Sequence, residues 1–170
     1  MSLRIAVFTD THVGYRGAKE QIFAMLQEEV NVIRTYRPDV VIHLGDMFDS
    51  PHIDSESIKR VRDQLSSCPL RGVNRSELLF PADEAVGAAD GIPLLLLRGN
   101  HDDAAGLALL PGTTFDCVSY EKKCVVPYIM KIRNNILIIY ALNYSKTVLR
   151  ELNEKKLSLR SPMFYFEKYP

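Results

Sequence analysis

Leu94-Leu95-Leu96-Leu97 followed by Arg98-Gly99-Asn100-His101-Asp102 is the stretch on which the fold turns, because an apolar run that breaks into a polar loop of this composition reads as a buried strand emerging at a site. Two stretches upstream have the same form. Val40 to Leu44, mostly β-branched, ends in Gly45-Asp46-Met47-Phe48-Asp49, and Leu3 to Phe8 ends in Thr9-Asp10-Thr11-His12. Between the first two strands, Ala18 to Arg37 places Ile22, Leu26, Val30, Ile33 and Tyr36 at helical spacing, and Pro38 stops the helix. A second helix is expected from an Asp54 or Ser55 cap, with Ile58, Val61 and Leu65 on its apolar face, and a short third over Ala104 to Leu110. Alternating strands and helices predict an α/β domain with a mostly parallel sheet. Such sheets gather the loops at the carboxyl ends of their strands at one edge.

The rest of the chain is less regular. Cys68 to Ile92 loses periodicity and collects Pro, Gly and Asp, so an insertion loop over about 68–92 is expected within one domain spanning 1–170. Beyond Pro111, strands are expected near Cys124 to Met130 and Ile136 to Tyr140, a helix from Ser145 to about Asn153, and one more strand from Met163.

Composition bounds the function classes. The 170 residues are 46% hydrophobic and 25% charged, enough apolar content for one domain with a core. The longest apolar runs, such as Ile136 to Leu142, fall far short of the ~20 residues of a membrane helix, so no membrane role is expected. Nothing near Met1 has the form of a secretory signal, and an intracellular protein is expected. Cys68, Cys117 and Cys124 are odd in number and lack zinc-finger spacing, which predicts reduced thiols. Net charge is zero, yet residues 1–120 hold 11 basic and 17 acidic side chains and residues 121–170 hold 10 and 4. The basic third is either a phosphate-facing surface or a solvated face, with the solvated face favoured.

The three polar loops carry oxygen and imidazole donors and no thiol. Asp10 and His12, two apart, are expected on one side of an extended backbone, where both reach one ion. Asp46 has two carboxylate oxygens for two ions, and Asn100 adds a neutral carbonyl. This donor set suits Mn²⁺, Fe²⁺ or Zn²⁺ better than Ca²⁺. Asp-x-His alone is a weak signal, but Gly-Asn-His-Asp arises by accident with a probability below roughly one in a thousand. Its arrival in order behind the other two loops makes the combination strong. His43, within an apolar strand, reads as a satisfied core histidine, and His52 as a solvated loop residue.

Thr9-Asp10-Thr11-His12, Gly45-Asp46-Met47-Phe48-Asp49 and Gly99-Asn100-His101-Asp102 resemble the calcineurin-like metallophosphoesterase superfamily. Asp10-Thr11-His12-Val13-Gly14-Tyr15 and Gly45-Asp46-Met47-Phe48 are similar to the nuclease subunit of the MRN repair complex, SbcCD in bacteria. Arg71 to Val86 resembles an insertion in the eukaryotic members. The resemblance implies a metallophosphoesterase-type β-sandwich flanked by helices, with the first sheet and part of the second present in this chain. It implies a two-ion, usually Mn²⁺-dependent phosphodiesterase on DNA, a homodimer serving an SMC-like ATPase, and, from the eukaryote-like insertion, a nuclear location. One ion takes Asp10, His12 and Asp46; the other takes Asp46 and Asn100. Water made acidic by the ions attacks phosphorus, while His101 stabilises the transition state or protonates the leaving oxygen. Asp49 stands where eukaryotic and archaeal repair nucleases have His, and is assigned to orienting His101.

One departure opens a competing expectation. The superfamily completes its site with a further His and a Gly-His-x-His motif, whereas no histidine follows His101 here. A nuclease-fold interaction module without complete metal ligation is the alternative, and a metallophosphoesterase for small phosphodiesters is a third. The apolar faces of Ile58, Val61 and Leu65 and of Leu107, Leu109 and Leu110 serve either the core or a dimer interface.

Overall fold

The computed structural model describes residues 2–73, 77–80, 90–115, 124–125, 128–140, 150, 154 and 158–159. Its elements in chain order are β1 (Ile5–Phe8), α1 (Lys19–Tyr36), β2 (Val40–His43), α2 (Ser55–Ser66), β3 (Leu70–Arg71), β4 (Leu78–Phe80), β5 (Ile92–Leu97), α3 (Ala104–Leu107), β6 (Thr113–Phe115), β7 (Cys124–Val125), β8 (Tyr128–Ile132), β9 (Asn135–Ile139) and β10 (Ser158–Leu159). Backbone contacts group them into two compact units, Met1–Asn74 with Ala85–Phe115, and Arg75–Glu84 with Asp116–Pro170.

The first unit is α/β, as the strand and helix alternation predicts. Its sheet runs β1-β2-β5-β3, with β6 also on β5, and every pairing is parallel. The carboxyl ends of β1, β2 and β5 therefore share one edge. All of β2 is buried, so its run of Val40, Val41, Ile42 and His43 carries no polar alternation. In β1, Ala6 and Phe8 pack against the core while Ile5 and Val7 are exposed. The helices follow from their sequences. Helix α1 buries Ile22, Phe23, Leu26, Val30 and Ile33, and each fully buried side chain of this size contributes about 1.5–3 kcal/mol. Tyr36, expected on that face, is instead 66% exposed in the last turn. The helix ends at Arg37, whose φ of 43° is left-handed and whose N–H donates to the Ile33 carbonyl. Pro38 bars the α conformation there. Asp54 caps α2, accepting from the backbone N–H and the hydroxyl of Ser57 at 2.7 Å each.

Val61 and Leu65 of α2, and Leu107 and Leu110 at α3, lie in one core cluster with Val41, Leu94 and Leu96 of the sheet. These residues serve the core, and only Leu109 of the two apolar faces is exposed. The expected insertion loop holds two short strands. Leu70 and Arg71 extend the parallel sheet opposite Ile92 and Pro93. Leu78–Phe80 belongs to the second unit, where it pairs antiparallel with β8, which pairs in turn with β9. There β7 and β10 form a separate parallel pair. The expected helix from Ser145, apart from Arg150, and the expected strand from Met163 lie outside the described residues. No helix among the described residues is long and apolar enough to cross a membrane.

Candidate metal centre

Parallel pairing continues past the ends of β1 and β2 and aligns their two loops. The N–H groups of Asp10, His12 and Val13 donate to the carbonyls of Gly45, Asp46 and Met47 at 3.1, 2.9 and 2.8 Å, and Asp49 donates back to Val13 at 2.9 Å. Val13 and Phe48, both fully buried, anchor this ladder to the core. The ligand loops are thus extensions of the sheet rather than free connections.

Asp10, His12 and Asp46 each bring one ligand atom to within 4.8 Å of the others, which meets the first-ion set expected from sequence. The backbone that achieves this is not the extended one expected. Asp10, His12 and Asp46 take φ of 55°, 50° and 54°. Left-handed non-glycine residues are costly, by about 1 kcal/mol or more each, and they persist where surrounding bonds hold them. Gly45 (φ 111°) and Gly99 stack where the second and third loops meet: a Cβ on Gly45 would lie 2.9 Å from the Gly99 backbone, and one on Gly99 would strike the Asp46 carboxylate. Only glycine permits that approach.

His12 faces two carboxylates. Its Nε2 lies 3.6 Å from Asp10 Oδ1, and its Nδ1 lies 3.3 Å from Asp49 Oδ1. Nδ1 is buried without a hydrogen bond of good geometry, an orphaned polar atom. A ring that turns one nitrogen to a ligand cluster and the other to a carboxylate has the form of a metal-bound histidine, which such a partner orients. Asp49, expected to orient His101, stands against His12 instead. The reason is local: the Val13–Asp49 pairing puts position 49 beside the first loop, not the third.

The third loop is tied down by Asp102, 5% exposed, which accepts from the N–H groups of Asp46 (2.9 Å), Phe48 (2.9 Å) and Gly99 (2.8 Å). Burial raises its pKa, and the three backbone bonds oppose the rise. The sequence offered Asp102 only as one more polar residue of Gly-Asn-His-Asp. Two bonds with partners more than fifty positions away make it the clasp between the second and third loops. The His101 N–H donates to Asp46 Oδ1 at 3.0 Å, and its exposed ring meets that of His12 edge-on at a centroid distance of 5.4 Å. Asn100 is exposed in the same loop. His43, as expected of a core histidine, is buried, with Nε2 at 2.8 Å from the Thr11 hydroxyl, and burial lowers its pKa to about 4. His52 is exposed in its loop. The mixed oxygen and imidazole donors, the carboxylate of Asp49 behind His12 Nδ1 and the left-handed backbones together fit a divalent transition metal at Asp10, His12 and Asp46.

Comparison with known proteins follows the same lines. The family profile described as calcineurin-like phosphoesterase matches residues 3–160. The chain is 30% identical over 98 residues to the DNA double-strand break repair protein Mre11 of Methanococcus maripaludis, covering 55% of this chain and 21% of that one. It is 23% identical over 116 residues to the double-strand break repair protein MRE11 of Encephalitozoon cuniculi, covering 64% and 20%. The chain thus spans about a fifth of the length of these relatives. Among solved structures, the nuclease MPE of Pseudomonas putida aligns over 72% of this chain and 52% of its own, with a TM-score of 0.46 and 15% identity.

Proposed function

Because the chain belongs to the calcineurin-like phosphoesterase family, we propose that it is the core of a divalent-metal phosphodiesterase that cuts DNA in double-strand-break repair. The observation that carries this reading is the convergence of Asp10, His12 and Asp46 at one point, with the His101 ring at its margin. The repair context is supported by the two relatives, which are named as double-strand-break repair proteins.

In this reading Asp10, His12 and Asp46 hold one cation, and Asp46 and Asn100 contribute to a second, with Mn²⁺ the expected metal. Cations bound there polarise phosphoryl oxygens and make water acidic enough to attack phosphorus. Asp49 keeps the His12 imidazole turned with Nε2 toward the cluster. Asp102 holds the loop of Asn100 and His101 in register with Asp46. His101, outside the ligand set, protonates the leaving oxygen or stabilises the charge that develops on the phosphate. The SMC-like ATPase partner, the homodimer and the nuclear location come with this reading from the resemblance.

One observation favours the interaction-module reading: residues 102–170 contain no histidine, and among the described residues the donors assigned to a second cation are Asp46 and Asn100. Against it, Val61, Leu65, Leu107 and Leu110 are spent on the chain's own core. End-labelled duplex and single-stranded DNA incubated with the chain and Mn²⁺ separates the two. The nuclease reading expects cleavage that chelation stops and that falls by about 10²–10⁴-fold in His101→Asn. An inert wild type, or a His101→Asn as active as the wild type, contradicts it.

A further inference from the structure

Behind the ligand loops lies a chain of polar side chains that metal binding does not itself require. Thr11, between the two ligands Asp10 and His12, points the other way and is 2% exposed. Its hydroxyl lies 2.8 Å from His43 Nε2. The other ring nitrogen, Nδ1, accepts from the Gly45 N–H at 3.3 Å. That contact fixes the tautomer: Nδ1 bears the lone pair, the proton sits on Nε2, and His43 donates to the Thr11 oxygen. The two bonds of the series Gly45, His43, Thr11 thus run in one direction.

We propose that Thr11 and His43 are positioning residues that brace the first two ligand loops from below, so that Asp10, His12 and Asp46 are arranged for the cation before it arrives. The inference rests on the metal-centre reading above. Two observations carry it. Thr11 is the one residue between two ligands with left-handed φ, where holding its side chain limits the rotation of both neighbours. His43 reaches Gly45, the residue before Asp46, so the series spans both loops that supply the cluster. Burial keeps His43 neutral, with a pKa lowered to about 4, as expected of a group that works as a hydrogen-bond partner and not as a free charge.

Outer partners of metal ligands typically change affinity by about 10–100-fold. The test is calorimetric Mn²⁺ titration of the full chain without DNA, beside thermal unfolding of the metal-free protein. Thr11→Val keeps shape and removes the hydroxyl, and should weaken Mn²⁺ binding by about 10–100-fold. Thr11→Ser restores the hydroxyl and should bind within about threefold of wild type. His43→Phe keeps a planar ring, removes both ring nitrogens and should follow Thr11→Val. Should Thr11→Val fail to fold, His43→Phe gives the same comparison with wild type. If Thr11→Val and His43→Phe melt at lower temperature but bind Mn²⁺ as tightly as wild type, the series is merely structural and the inference falls. A wild type that binds no Mn²⁺ overturns the metal-centre reading and the inference with it, a failure visible before any variant is made.

Discussion

In the loop after β1 a buried hydroxyl, Thr11, sits between the candidate ligands Asp10 and His12, whereas in the loop after β5 a buried carboxylate, Asp102, follows two exposed residues, Asn100 and His101. Both loops turn one polar side chain inward so that its neighbours can face the site. The bonds differ. Asp102 accepts three backbone N–H groups directly and fixes the path of two loops by itself. The Thr11 hydroxyl bonds to a side chain, His43, and depends on it to be held. A backbone-directed clasp sets where a loop lies; a side-chain relay sets how its ligands are turned. Losing the first should therefore cost the fold, and losing the second should cost the affinity of the site.

The largest effect lies where both loops meet a common ligand. Asp46→Ala removes a ligand and the acceptor of the His101 N–H together. Mn²⁺ binding and Mn²⁺-dependent cleavage should both disappear, cleavage by at least about 10³-fold, as read by titration and a single-turnover assay. Next comes Asp102→Ala, which leaves the N–H groups of Asp46, Phe48 and Gly99 without their acceptor. Each buried unsatisfied donor costs about 1–3 kcal/mol, so a loss of about 4 kcal/mol is expected in urea unfolding. A loss under about 1 kcal/mol would erase the contrast between the two anchors.

Much of this contrast was not legible in the sequence. The three loops, the strands ahead of them and both long helices could be read, because they rest on periodicity, caps and local donor chemistry. What escaped depends on long-range geometry. Asp102 bonds to Asp46 and Phe48 across more than fifty positions, and no local pattern separates it from a further ligand. The spacing of Asp49 does not reveal His12 as its neighbour, because that contact is set by the pairing of Val13 with Phe48. Thr11 carries no signal of its own in the sequence, and the apolar strand around His43 marks a core residue without showing its hydroxyl partner. Leu70–Arg71 and Leu78–Phe80 are too short to show a period of two and vanished into an expected loop. Asp10 and His12 do converge as expected, through left-handed turns rather than an extended backbone.

Buried His43 and half-buried Glu29 make a subtler prediction in pH. His43 has a folded pKa lowered to about 4 from 6.5, so the unfolded chain takes up its proton first as pH falls. Its contribution to stability is complete above pH 6.5 and declines toward pH 4, by on the order of 3 kcal/mol. Glu29 has the opposite sign. Its folded pKa is raised to about 7 from 4.5, so its contribution is complete below pH 4.5 and is lost as pH rises toward 7. The two oppose each other between pH 4.5 and 6.5. His43→Gln should leave the Glu29 trend exposed, with stability rising as pH falls, and Glu29→Gln should leave the reverse, both read as urea midpoints across that range. Parallel pH profiles in the two variants would break the pairing.

The central claim is that the first two loops together build a cation site, and diffraction at the manganese absorption edge from crystals soaked in Mn²⁺ addresses it most directly. The account predicts an anomalous peak within coordination distance of Asp10, His12 Nε2 and Asp46. A peak elsewhere, or none at a concentration that supports cleavage, would contradict it.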